Sequence, residues 1–165
     1  MKAYLEGRNC KVIDNNLKSR LISKGYGLKK EKYLEIDLFE SYYLFEKEKI
    51  TIILKEKEIT LETFEKHCQE KIKNFKDKYL VYKDFKEKGY IVKDGAIFGF
   101  DFRIYEGKSK THEHTKYVVD VKRTHKDEMN KVIKSERLAN SVKTKYIIAI
   151  IDMEDKITKI KLERI

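Results

Sequence analysis

Three short segments hold side chains able to do chemistry. Phe102-Arg103-Ile104-Tyr105 sets a phenol two residues from a guanidinium on an alternating stretch. A phenol ionises only near pH ~10 in water, and a neighbouring cation is what makes it a useful base. Thr111-His112-Glu113-His114-Thr115 lies close to His125, so three of the four histidines fall within fourteen residues. A histidine titrating near pH ~6.5 suits proton donation to a leaving group. The same histidines suggest metal ligation, but no further His or Cys stands at the short spacing of such sites, and no metal ligands are assigned. The third segment, Arg137-Leu138-Ala139-Asn140-Ser141-Val142-Lys143-Thr144-Lys145, gathers cations that can oppose substrate charge or answer a helix dipole. Separately, Asp101 is followed nineteen residues later by Asp120-Val121-Lys122. Two carboxylates there could hold Mg²⁺ while the lysine orients water.

Hydrophobic spacing predicts the elements that must position these groups. In the first half, Lys49-Ile50-Thr51-Ile52-Ile53-Leu54 suits a strand and residues 37–45 a short amphipathic helix. Leu61, Phe64, Cys68, Ile72 and Phe75 recur at helical spacing behind Thr60, a good N-cap, which puts Cys68 in the core. A second helix through Tyr82 and Phe85 ends at Gly89. The pattern then turns to strands. Tyr90-Ile91-Val92 leads to Asp94-Gly95, a hairpin signal, and Phe98, Phe100, Phe102 and Ile104 alternate on one face of the next strand. Residues 117–122 form another strand, and Met129, Val132, Ile133 and Ala139 mark a helix beginning near Thr124 or Asp127. The continuous apolar run 146–151 predicts a strand buried on both faces. A Glu154-Asp155 turn returns the chain to a last strand with Ile160 and Leu162. The second half reads as an α/β domain with a mixed sheet and at least one packed helix.

Composition narrows the classes. The chain has 165 residues, 38 Lys+Arg against 28 Asp+Glu for a net charge of +10, and no proline. Low-complexity and proline-rich classes are excluded. No apolar run approaches the ~20 residues that span a bilayer, and residues 1–6 show no apolar leader, so no membrane role is expected. Two cysteines make neither a disulfide framework nor a CxxC site, which points to a reducing, cytoplasmic setting. The positive charge is shared between halves, +4 over residues 1–82 and +6 over 83–165. It permits a polyanionic partner and equally fits a surface of solvated ion pairs.

Taken in order, the motifs resemble the archaeal tRNA-splicing endonuclease (tRNA-intron endonuclease) family. The resemblance runs through Lys78-Tyr79-Leu80-Val81-Tyr82-Lys83-Asp84-Phe85-Lys86-Glu87-Lys88-Gly89-Tyr90-Ile91-Val92 and Phe98-Gly99-Phe100-Asp101-Phe102-Arg103-Ile104-Tyr105. It continues through Glu113-His114-Thr115-Lys116-Tyr117-Val118-Val119, then the 137–142 segment, then Ile148-Ala149-Ile150-Ile151-Asp152. It is strong over 78–165 and weaker over 33–77. It implies an α/β chain of two domains: an α+β N-terminal domain at 1–77, and at 78–165 a catalytic nuclease domain with a restriction-endonuclease-like mixed sheet and packed helices.

The resemblance also implies an activity: excision of introns from precursor tRNA at bulge-helix-bulge motifs, without metal or other cofactor, leaving 2′,3′-cyclic phosphate and 5′-hydroxyl ends. Tyr105 then falls on the base and His114 on the acid. The family's catalytic lysine position holds Thr144 here, so Lys143 or Lys145 is expected to substitute. Arg137 matches an arginine that sandwiches a bulged base, and Arg103 joins it in substrate binding. Asp127 and Glu128 lie near a loop that docks on an opposing subunit, in a homotetramer or a heterotetramer with a paralogous chain. Two rival readings stand beside this one. Thr144 suits a non-catalytic structural subunit, and Asp101, Asp120 and Lys122 fit the spacing of Mg²⁺-dependent restriction-type nucleases.

Overall fold

The computed structural model describes residues 1–107, 115–123 and 144–162. Within it the chain forms two compact units, Met1–Phe75 and Lys76–Ile165.

In the first unit β1 (Lys2–Glu6) and β2 (Asn9–Val12) pair antiparallel with Leu5 opposite Cys10, and Gly7 turns between them at φ +59°. Helix α1 (Asn15–Ser23) starts at Asp14, whose carboxylate accepts from the Leu17 amide at 2.7 Å. After β3 (Leu28–Lys29) and β4 (Leu34–Asp37) comes α2 (Leu38–Glu46). Its start is fixed by a capping box in which Asp37 and Glu40 each accept the other's backbone N–H. Strands β5 (Thr51–Leu54) and β6 (Lys57–Glu58) precede α3 (Leu61–Lys71), capped by Thr60 as its sequence predicts. The sheet order is β3-β4-β2-β1-β5-β6, with β1 and β5 parallel and the other pairs antiparallel. Ala3, Val12, Leu34, Ile36 and Ile52 are fully buried. Phe64 and Cys68 are equally buried on α3, the predicted core role for that cysteine. The helical spacing does not run on to Phe75: α3 stops before Ile72, and Asn74 adopts φ +56°.

Helix α4 (Phe75–Glu87), all but its first residue in the second unit, ends ahead of Gly89 at φ +88°. Strands β7 (Ile91–Asp94), β8 (Phe102–Tyr105), β9 (Tyr117–Arg123), β10 (Lys145–Ile151) and β11 (Ile157–Leu162) follow in chain order. They assemble as β11-β10-β9-β8-β7, with β9 and β10 parallel and the remaining pairs antiparallel. The α/β class expected from the sequence is therefore observed, as two mixed sheets with helices. Strand β10 is buried on both faces: Tyr146 and Ile148 pack with Phe100 and Val118, while Ile147, Ala149 and Ile151 face the other way. On α4, Tyr82 approaches Phe102 at a ring separation of 6.0 Å.

One expectation fails in an informative way. Asp94-Gly95 is not a two-residue hairpin, because Asp94 pairs with Phe102 and the connection between them is seven residues long. The Asp94 carboxylate accepts from the Ala96 amide at 2.7 Å, a 3₁₀ turn spans Ala96–Phe98, and Gly99 takes φ +82°. The Phe98 end of the expected stripe is thus a turn, half exposed, and alternation starts at Phe102. The helix expected around 129–139 lies outside the described residues.

Candidate active site

Tyr105 closes β8, gripped from both sides. Ile91 of β7 is its register partner, and on the other side the Lys116 amide donates to Ile104 O at 2.8 Å. Alternation puts Arg103 and Tyr105 on one face, Phe102 and Ile104 on the other. Tyr105 is buried, 7% exposed, rather than a solvated rim residue.

Arg103 is held by three groups. Its Nε donates to Asp94 O at 2.9 Å, and its guanidinium lies 4.8 Å from the centroid of the Phe98 ring. Its Nη1 then donates to Tyr105 Oη at 3.1 Å. The displaced Phe98 thus becomes a platform under the guanidinium, a role that strand alternation alone conceals.

A second cation nearby is spent differently. Lys116 pairs with Glu106, which raises the lysine's pKa and lowers the carboxyl's, and its ammonium sits 5.7 Å from the Tyr90 ring and 5.5 Å from the Tyr117 ring. Just beyond, a Cβ on Gly107 would collide with the Gly89 carbonyl. Only a glycine lets the chain leave β8 there.

Thr144 precedes β10, is buried, and donates through Oγ1 to Thr115 O at 2.9 Å. Its neighbour Lys145 shares a row with Tyr117 and Ile104, so β-alternation turns it to the face opposite Tyr105. The structure therefore does not bring Lys145 to the phenol. Lys143, His114, Arg137, Asp127 and Glu128 lie outside the described residues.

The two aspartates of the Mg²⁺ reading do meet, but as a structural joint. Asp120 accepts from the Asp101 amide at 3.2 Å and from Tyr146 Oη at 2.9 Å. Asp101 accepts from the Val121 amide at 2.8 Å and pairs with Lys78 at 3.1 Å. Burial lifts the Asp120 carboxyl above its ordinary range despite the tyrosine hydrogen bond. All four oxygens therefore meet protein donors. Lys122 follows on β9, beside Ile150 of β10. Among the described residues no group of three or more His, Cys, Asp and Glu could hold a metal ion. No helix among them is long and apolar enough to cross a membrane.

Comparison with known proteins matches the sheet that carries Tyr105. Residues 75–159 match the tRNA intron endonuclease, catalytic C-terminal domain, and residues 1–65 the tRNA intron endonuclease, N-terminal domain. A tRNA-splicing endonuclease of Pyrococcus abyssi is 35% identical over 142 residues, covering 86% of this chain and 82% of its own. Those of Thermococcus gammatolerans (33% over 162 residues, 97% and 95%) and Methanococcus vannielii (32% over 161 residues, 94% and 89%) align along almost the whole chain. Two domains matched in order, over both compact units, place the chain in the tRNA intron endonuclease family.

Proposed function

We propose that the chain excises introns from precursor tRNA, cutting at bulge-helix-bulge motifs without a metal ion. The observation that carries this reading is Tyr105, buried at the end of β8 with a guanidinium donating to its hydroxyl, inside the segment that matches the catalytic domain. In the reaction the Tyr105 oxygen, acting in its ionised form, takes the proton of a ribose 2′-hydroxyl. The 2′ oxygen bonds to the adjacent phosphorus, the bond from phosphorus to the 5′ oxygen breaks, and His114 protonates the departing oxygen. The products are a 2′,3′-cyclic phosphate and a 5′-hydroxyl. A fixed cation opposing the charge on the pentacoordinate phosphorus completes the set; Lys143 and Lys145 flank Thr144, and of these Lys145 turns to the face opposite Tyr105. Arg137 stacks on a bulged base. The engaged oxygens of Asp101 and Asp120 support the metal-free course.

The protein works as a tetramer of one or two chain types. Asp127 and Glu128 dock on an opposing subunit, and the outer strand β11, with Ile160 exposed, is available to pair subunits. A second reading, a structural subunit that needs a catalytic paralogue, is favoured by Thr144, whose hydroxyl is spent on Thr115.

The test is cleavage of a bulge-helix-bulge RNA by the purified chain in EDTA. We expect cutting at both splice sites and cyclic phosphate on the upstream fragment. Strict Mg²⁺ dependence overturns the mechanism, and cutting only after a second subunit is added selects the structural-subunit reading.

A further inference from the structure

We propose that Arg103 is the cation that opposes phosphate charge in this enzyme, the task for which the flanking lysines are the sequence's candidates. The inference rests on the endonuclease reading above and assigns its third catalytic group.

Geometry carries it. The 2′ oxygen must come within hydrogen-bond reach of Tyr105 Oη to give up its proton, about 2.6–3.2 Å. The phosphorus it attacks then lies about 3–3.5 Å further on, the separation of reacting atoms poised for attack. Arg103 Nη1 is already 3.1 Å from that same Oη, so the guanidinium borders the space the reacting phosphate enters. Nε and Nη1 are committed to Asp94 O and to Tyr105, which fixes the plane of the group and its distance from the phenol. Among the described residues Nη2 has no hydrogen bond and the guanidinium has no carboxylate partner.

Two other described cations near the strand end are placed otherwise, while Lys93 of β7 is the register partner of Arg103 itself. Lys116 is tied to Glu106, and Lys145 projects from the opposite face. Phe98 adds preorganisation, because a guanidinium stacked at 4.8 Å on a ring need not be ordered when the substrate arrives. Arginine presents two N–H groups in one plane to two phosphate oxygens, which lysine cannot. Nothing is transferred to or from Arg103: it stays charged while the 2′-O–P bond forms and the P–O5′ bond breaks.

The test is single-turnover cleavage of a bulge-helix-bulge precursor, with binding measured separately on an uncleavable 2′-deoxy substrate. Arg103→Gln should lower the cleavage rate by about 10²–10³-fold while the dissociation constant changes little. Arg103→Lys should keep more of the rate, and added guanidinium ion should partly restore Arg103→Ala. The decisive variant is Thr144→Lys in the Arg103→Gln background. A lysine returned to the position it holds in the resemblance should recover cleavage there, and recovery also shows that the Arg103→Gln chain is folded. An Arg103→Gln enzyme that cuts as fast as wild type overturns the assignment. So does one whose whole defect is in RNA affinity, because Arg103 would then be a binding residue only. A wild-type chain that cuts no precursor, alone or with a paralogue, overturns the parent reading instead.

Discussion

Tyr105 shows how little of a side chain's setting is written in its own position. Its identity and its neighbour Arg103 are legible in the sequence, because alternation puts residues two apart on one face. The Phe98 platform is not, since it depends on the left-handed Gly99 and the Asp94–Ala96 contact converting a strand into a turn. On the proposed mechanism, replacing Tyr105 by Phe removes the proton acceptor and leaves the ring packing. Cleavage should fall about 10²–10⁴-fold with RNA affinity retained, measured by single-turnover kinetics beside binding of the uncleavable RNA. The cysteines make the opposite point. Cys68 is legible as core from helical spacing, and the structure adds that burial pushes the Cys10 thiol up to about 12 and raises Cys68 as well. The thiolate is the reactive form, so neither residue should take iodoacetamide at pH 8 until denaturant is added, as read by intact mass.

At the scale of elements, the sequence locates what local chemistry determines. Thr60, Asp37 and Gly89 each mark a helix end because a side-chain oxygen or a positive φ solves a local problem. Strand 146–151 is legible because a continuous apolar run leaves little choice. The pairing of β9 with β10 in parallel, and the joint between Asp101 and Asp120, depend on partners far along the chain and have no local signal. The turn from β10 to β11 offers a measurable case. Asp152 Oδ1 accepts from the Lys156 amide at 3.0 Å and from the Glu154 amide at 2.8 Å, and these bonds hold its carboxyl below the usual range. A pKa lower in the folded chain means the stabilisation is present above the unfolded value, near ~3.9, and is lost as pH falls through the folded one. Asp152→Asn should therefore melt below wild type at neutral pH, and the gap should close as the solution is acidified. A gap constant from pH 7 to pH 2 would contradict this.

For the whole molecule, the +10 charge is compatible with RNA but does not by itself select it. What selects it is the pair of family domains laid over both units. Assembly is the matching question at this scale. Strand β11 is an outer strand with Ile160 42% exposed, an arrangement that monomeric proteins usually blunt. Ile160→Lys should shift the protein toward smaller species in sedimentation and slow cleavage at low protein concentration more than at high. Unchanged sedimentation would remove β11 from the subunit contact.

Strand β10 has a consequence for how the protein is made. It lies between β9 and β11 in space, yet it follows β7, β8 and β9 in the chain. During synthesis β7, β8 and β9 can meet long before it exists. Until it arrives, β9 presents Val118 to Val121, all buried in the finished fold, along an open ladder. A nascent chain stalled before residue 145, or a gene with a late stop codon, therefore exposes an adhesive edge while the first unit is already complete. Such fragments should collect in inclusion bodies or on chaperones rather than persist as a soluble first domain.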